Sequence, residues 1–131
     1  MLRDLITQGR TCRRFDQNTP VSLDVLRDLV DLARLTPSGS NMQSLCYAIA
    51  NEPETNTKVF EALGWAGYLP EWEGPVDGER PPSYIIMLNN KDIKTPIDCD
   101  HGIAALAITL GAREKGLATC IFGSIKRARL R

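Results

Sequence analysis

The chain has 131 residues, 43% of them hydrophobic, with 16 basic and 16 acidic side chains and no formal net charge. That length suits one domain, residues 1–131, able to bury roughly two-thirds of its unfolded surface, and the charge balance argues against a general nucleic-acid binder, which would be strongly basic. Four cysteines without a CxxC pair and a single histidine argue against a metal site, and the absence of a membrane-length apolar run or a signal peptide after Met1 leads us to expect a reduced, cytoplasmic chain.

In chain order, Leu2, Leu5 and Ile6 make a short helical stripe that ends near Gly9. Residues 9–21 are polar, carry Pro20 and read as a loop. Ser22 suits a helix N-cap, and Leu23, Leu26, Leu29, Val30 and Ala33 follow at the three- and four-residue spacing of one buried face. Pro37 should end that helix, because the residue before a proline avoids the helical region. The apolar run Leu45–Ala50 fits a strand. Pro53 and Glu54 begin a helix, with proline in the first turn and acid at the positive dipole end; Val59, Phe60, Ala62 and Leu63 supply its buried side, and Gly64 closes it.

Residues 64–83 are rich in glycine and proline and predict a long irregular segment, a class often used as a lid. Tyr84–Leu88 is a buried strand. From Asp100 to Lys115 apolar residues cover nearly the whole circumference of a helix, which predicts burial on every side by core and dimer partner together. Gly116 is its C-cap. Leu117–Phe122 reads as a further strand, and Gly123-Ser124 as the start of a last helix. This alternation is an α+β, three-layer pattern.

Three segments carry candidate chemistry. Arg10-Thr11-Cys12-Arg13-Arg14-Phe15 presents guanidinium groups that match phosphate oxygens and keep their charge; the alternative is a solvated helix end. A second basic run, Lys126, Arg127, Arg129 and Arg131, would add to an anion site if the two ends met, and otherwise forms a solvated face. Pro37-Ser38-Gly39-Ser40-Asn41-Met42-Gln43 resists helix formation, so free backbone N–H groups are expected, with Asn41 and Gln43 each offering a donor and an acceptor to a polar heterocycle. An ordinary loop with self-capping amides is the alternative. In Cys120-Ile121-Phe122-Gly123-Ser124 a strand runs into a glycine, which leaves N–H groups at its carboxyl end, where ligands of α/β sheets sit; a plain turn is the alternative. His101 has no nucleophile elbow beside it, so a catalytic triad is unsupported.

Taken jointly, these segments resemble the FMN-dependent nitroreductase family. Arg10–Phe15 resembles its Arg-x-Ser-x-Arg/Lys-x-Phe element, with Phe15 one position early and Cys12 in place of serine. Pro37–Gln43 resembles its Pro-Ser-Gly/Ser-x-Asn-x-Gln loop, residues 100–117 its dimer-core helix (with Leu106 where glutamine is common), and Thr119–Ser124 its strand ending in Ile-Gly-Ser/Phe. The resemblance implies a dimeric three-layer fold with a mixed central sheet and flanking helices. It also implies that the chain is shortened at its C-terminus: relatives continue into another strand and a segment that embraces the partner and supplies a further basic residue.

By the same resemblance Arg10 and Arg14 would bind the FMN phosphate, with Cys12 in the place of a hydroxyl donor. Pro37, Ser38, Gly39, Asn41 and Gln43 form the loop that would meet the isoalloxazine from the second subunit. Phe122 and Gly123 would bring N–H groups near the reactive flavin nitrogen. The segment from Trp65 to Trp72, with Trp65 and Tyr68, would cover the substrate face. The implied reaction passes hydride from NAD(P)H to FMN and on to a nitro-aromatic, quinone or similar small-molecule acceptor by a ping-pong mechanism in a homodimer. A flavin-binding or interaction protein of the same fold without turnover is the alternative.

Overall fold

A computed structural model of the chain describes residues 1–130; Arg131, part of the C-terminal basic run, lies outside the described residues. Four helices and two strands follow one another as α1 (Leu2–Gln8), α2 (Leu23–Arg34), β1 (Leu45–Ala50), α3 (Pro53–Glu61), β2 (Tyr84–Asn89) and α4 (Asp100–Glu114), with 3-10 turns at Gly39–Asn41 and Arg127–Arg129.

Local chemistry accounts for most of these boundaries. The Ser22 hydroxyl accepts from Val25 N–H at 3.3 Å and starts α2. Leu26, Leu29 and Ala33 then form a buried stripe. The helix already stops at Arg34, where Thr36 Oγ1 donates to the Ala33 carbonyl at 2.7 Å. At the end of α4, Gly116 takes φ +76°, Leu117 N–H donates to Ala112 O at 2.8 Å and Gly116 N–H to Arg113 O at 3.0 Å. That pair of bonds is a Schellman cap, and the left-handed residue it requires is the reason for glycine.

The core lies mainly between α2 and α4, where Leu26, Leu29 and Ala33 face Ala104, Ala105 and Ala112. Small residues on α4 let the helices approach closely: a Cβ added at Gly111 would meet the Leu32 Cδ1 methyl and lie 3.2 Å from Leu29 Cδ2. α1 leans on α4 and α3 lies against β1. β1 and β2 pair antiparallel, from Leu45 opposite Asn89 to Ala50 opposite Tyr84.

Three local expectations change. Residues 117–122 are extended but form no ladder; they make one parallel bridge, Thr11 to Thr119, with Cys12 N–H donating to Thr119 O at 2.9 Å. The neighbouring chain turns away after Cys12, because Phe15 and Gln17 N–H donate instead to Glu79 O and Gly78 O. In place of the expected mixed sheet the described residues form one two-stranded antiparallel sheet, with isolated bridges at Thr11–Thr119 (parallel) and Leu63–Ile125 (antiparallel). Ser124 does not begin a helix: its carbonyl accepts from Gly64 N–H at 2.8 Å, and Lys126 N–H donates to Ala62 O at 2.7 Å. The same bonds explain why α3 is closed by Ala62 and not by Gly64. Within one chain α4 is covered on only part of its circumference. Leu106 is 53% exposed, and Ile103, Ala107, Ile108 and Leu110 are half-buried, since only α1 and α2 pack on it extensively.

Candidate functional site

Of the N-terminal cations, Arg13 and Arg14 line an open groove of about 640 Å³ together with Thr11, Cys12, Leu69 and Trp72, and Arg10 lies outside that lining. The Arg13 guanidinium lies 5.6 Å from the centre of the Tyr68 ring, within cation–π range. Arg14 Nε stands 3.6 Å from Glu79 Oε2 in a long, exposed pair that leaves the guanidinium accessible; such a contact contributes little to stability. The Cys12 thiol donates to the Arg14 carbonyl at 2.9 Å, so its proton is already engaged. Arg10 is exposed and forms no ion pair among the described residues.

The irregular segment is held over this groove by rings. Trp65 packs edge-on against Phe122, with centroids 4.5 Å apart, and against Trp72 at 6.1 Å, and tilts onto Phe60 at 5.8 Å. Trp65 is therefore a packing residue that joins α3, residues 64–75 and Phe122, whereas Tyr68 is 70% exposed and faces outward. Gly123 is exposed directly after Phe122. Beside the bridge, burial pushes the Cys120 thiol up, away from easy ionisation.

The loop Pro37–Gln43 lies elsewhere, around a small cavity of about 120 Å³ shared with Arg34, Ser44, Tyr47 and Asp100. Four of its N–H groups are bonded and not free as expected, while those of Ser38 and Ser40 have no hydrogen-bond partner among the described residues. Asn41 N–H donates to Ser38 O at 2.9 Å, Met42 N–H to Gly39 O at 3.2 Å and Gln43 N–H to Ser38 Oγ at 3.0 Å, while Gly39 N–H donates to Asp100 Oδ1 at 2.8 Å. Gln43 Nε2 donates to Asn41 Oδ1 at 2.9 Å. Ser40, Asn41 and Gln43 all take positive φ, an uncommon conformation for residues with side chains. What the loop offers outward is the exposed side chains of Ser40, Asn41, Met42 and Gln43, with the unbonded N–H groups of Ser38 and Ser40 beside them.

Within one chain the structure brings Cys12, Arg13 and Arg14 together with the 64–75 segment, which in turn touches Phe122, and it leaves the Pro37–Gln43 loop outside that groove. Of the C-terminal basic run, the described residues Lys126, Arg127 and Arg129 do not line the groove either; Arg129 instead donates to the Glu61 carbonyl at 3.3 Å. Two residues of interest had no sequence signature, Lys94 and Asp100. Asp100 is 3% exposed at the start of α4, and Lys94 Nζ donates to its Oδ2 at 2.8 Å. The Lys94 hydrogen bond, followed by that from Gly39 N–H, holds the Asp100 carboxyl below its ordinary range, and the same contact raises Lys94. An acid in the first turn of α4 is the one local sign that marks Asp100.

Residues 6–71 match the model of the Nitroreductase family. The chain belongs to that family. No curated protein matches it. Solved structures share its fold. A nitroreductase family protein from Clostridium novyi NT superposes with a TM-score of 0.78 at 19% identity, over 99% of this chain and 73% of that one. One from Clostridium difficile 630 gives 0.70 at 24% identity, over 99% and 74%. A candidate nitroreductase from Exiguobacterium sibiricum 255-15, solved in complex with FMN, gives 0.77 at 15% identity, over 99% and 78%. The nitroreductase-like fold expected from the sequence is therefore present, with a small sheet, and no described helix is long and apolar enough to cross a membrane.

Proposed function

We propose that this chain is an FMN-dependent oxidoreductase that takes hydride from NAD(P)H and reduces a nitro-aromatic, quinone or similar small-molecule acceptor in a ping-pong cycle, working as a homodimer. The observation that carries this reading is the groove in a nitroreductase-family chain: accessible guanidinium groups together with Leu69 and Trp72 suit a ligand with a phosphate and a flat ring.

The residues fit FMN in kind. Arg10 and Arg14 take the phosphate, and Arg14 exchanges its weak contact with Glu79 for it. Cys12 lies in the same lining and could donate to the phosphate only by giving up its bond to the Arg14 carbonyl. The loop of Pro37, Ser38, Gly39, Asn41 and Gln43, remote from the groove of its own chain, serves the ring of the second copy through its exposed amides. The half-covered face of α4 around Leu106 is the surface against which that copy packs. Phe122 and Gly123 supply backbone at the ring, Tyr68 meets the acceptor, and Trp65 holds their segment in place. FMN, when bound, supplies the two-electron chemistry; the protein binds, orients and shields. No side chain is required as acid or base, and protons come from water.

The test is the visible absorption spectrum of the purified protein, before and after NADH or NADPH is added without oxygen. A flavin band that bleaches supports the reading, and Arg14→Ala should lower flavin content. Protein that neither carries nor takes up FMN refutes it, and a bound flavin that stays oxidised identifies a binding protein without turnover.

A further inference from the structure

We infer that Lys94 and Asp100 are positioning residues that set the conformation of the Pro37–Gln43 loop and, through it, the affinity and environment of the flavin ring. The inference rests on the FMN reading above.

The loop is a closed unit. Three of its hydrogen bonds, from the N–H groups of Asn41, Met42 and Gln43, end on Ser38 or Gly39. They shape the loop but do not orient it on the fold. Orientation comes from a circuit that brackets the loop at both ends. Ser44 Oγ donates to Asn89 Oδ1 at 2.7 Å, Asn89 Nδ2 donates to the Lys94 carbonyl at 2.8 Å, Lys94 Nζ donates to Asp100 Oδ2 at 2.8 Å, and Gly39 N–H closes the circuit on Asp100 Oδ1 at 2.8 Å. Ser44 and Asp100 are the two buried polar side chains among the described residues, 1% and 3% exposed. Buried polar groups that are fully paired enforce one geometry, because any other arrangement leaves a group unpaired.

The loop needs such a constraint. Ser40, Asn41 and Gln43 hold φ between +51° and +54°, which an isolated chain would leave. Gly39 is where the constraint presses closest. A Cβ there would lie 2.5 Å from Lys94 Nζ and 3.5 Å from Asp100 Oδ1, so a side chain at this position would displace the Lys94 ammonium from its place over the loop backbone. Lys94 is 11% exposed and also reaches Asp98 Oδ2 at 3.3 Å, so its ammonium is held from two sides.

Three variants test this: Asp100→Asn, Lys94→Met and, should either fail to fold, Gly39→Ala. Each is compared with Lys94→Arg, which keeps the charge. The readouts are amide hydrogen exchange without flavin, FMN affinity by fluorescence titration, and the band shape of the bound flavin. We expect faster exchange confined to residues 38–44, FMN affinity weakened roughly tenfold by loss of positioning, and a shifted flavin band, all restored towards wild type in Lys94→Arg. Arg14→Ala should weaken FMN without shifting the band, because it acts at the phosphate. Lower thermal stability with unchanged exchange in 38–44 and unchanged flavin affinity would show a merely structural pair and overturn the inference. Faster loop exchange in the variants, together with wild-type protein that binds no FMN, would overturn the flavin reading itself, and this inference with it.

Discussion

Replacing Trp65 with alanine removes the hub of the aromatic cluster. Three ring contacts are lost, to Phe60, Trp72 and Phe122. Truncating a well-packed Trp or Phe to alanine costs about 3–5 kcal/mol. The half-buried setting of Trp65 favours the lower end. An opposing contribution comes from its indole N–H, which is buried without a partner among the described residues; relieving an unsatisfied donor returns about 1–3 kcal/mol. The expected net loss for Trp65→Ala is about 2 kcal/mol. With an unfolding entropy of roughly 2.1 cal/mol/K per residue, that lowers Tm by about 7 °C for a chain of this length. Trp65→Phe keeps a ring, drops the unpaired donor and should lie within about 1 kcal/mol of wild type. Urea denaturation of both variants, with the slope checked for constancy, measures the difference. Equal destabilisation by alanine and phenylalanine would refute the ring-packing argument, because both variants remove the unpaired donor and only one keeps a ring. An alanine variant of wild-type stability with altered acceptor preference would show that Trp65 contacts substrate and does not serve packing.

The Lys94–Asp100 pair makes acid stability predictable in sign. The folded carboxyl titrates below its usual 3.8, so its contribution is present above that pH and fades as pH falls through the lowered value. Lys94 titrates above its usual 10.5, so its contribution fades only in stronger alkali. His101 also faces Asp100, and Asp98 faces Lys94. The stability gap between wild type and Asp100→Asn should therefore be full at neutral pH and close in acid; thermal melts across pH that keep a constant gap would contradict this. On α4, Gly116→Ala should cost about 1 kcal/mol because the residue sits at φ +76°. Gly102→Ala in the same helix, where a Cβ meets nothing within 4 Å, should instead stabilise by about 0.5–1 kcal/mol. Chemical denaturation of the two variants should give opposite signs. Arg14→Ala should lower the FMN content of the purified protein, and unchanged occupancy would remove Arg14 from the phosphate site.

Much of this protein was determined by sequence alone, wherever the governing interaction is local. Ser22 and the three- and four-residue spacing after it specify α2, and the run to Gly116 specifies α4 with its Schellman cap, because caps and amphipathic faces are decided within a few residues. The strands Leu45–Ala50 and Tyr84–Asn89 were equally legible as short apolar runs. The family was legible because four short elements recur in order, and it carries the candidate flavin residues with it.

What the tertiary structure decided depends on partners far apart in the chain. Residues 117–122 have strand composition, yet a strand needs a neighbour alongside it, and residues 15–17 give their hydrogen bonds to 78–79. Ser124 and Lys126 could not become helical because Ala62 and Gly64 take their backbone groups. Gly39 and Asp100 are 61 positions apart, so the bond that occupies the Gly39 N–H had no local trace. Lys94 looks in sequence like any loop lysine; burial against one carboxylate and one glycine, which only the folded chain provides, makes it a fixed charge beneath the proposed flavin loop.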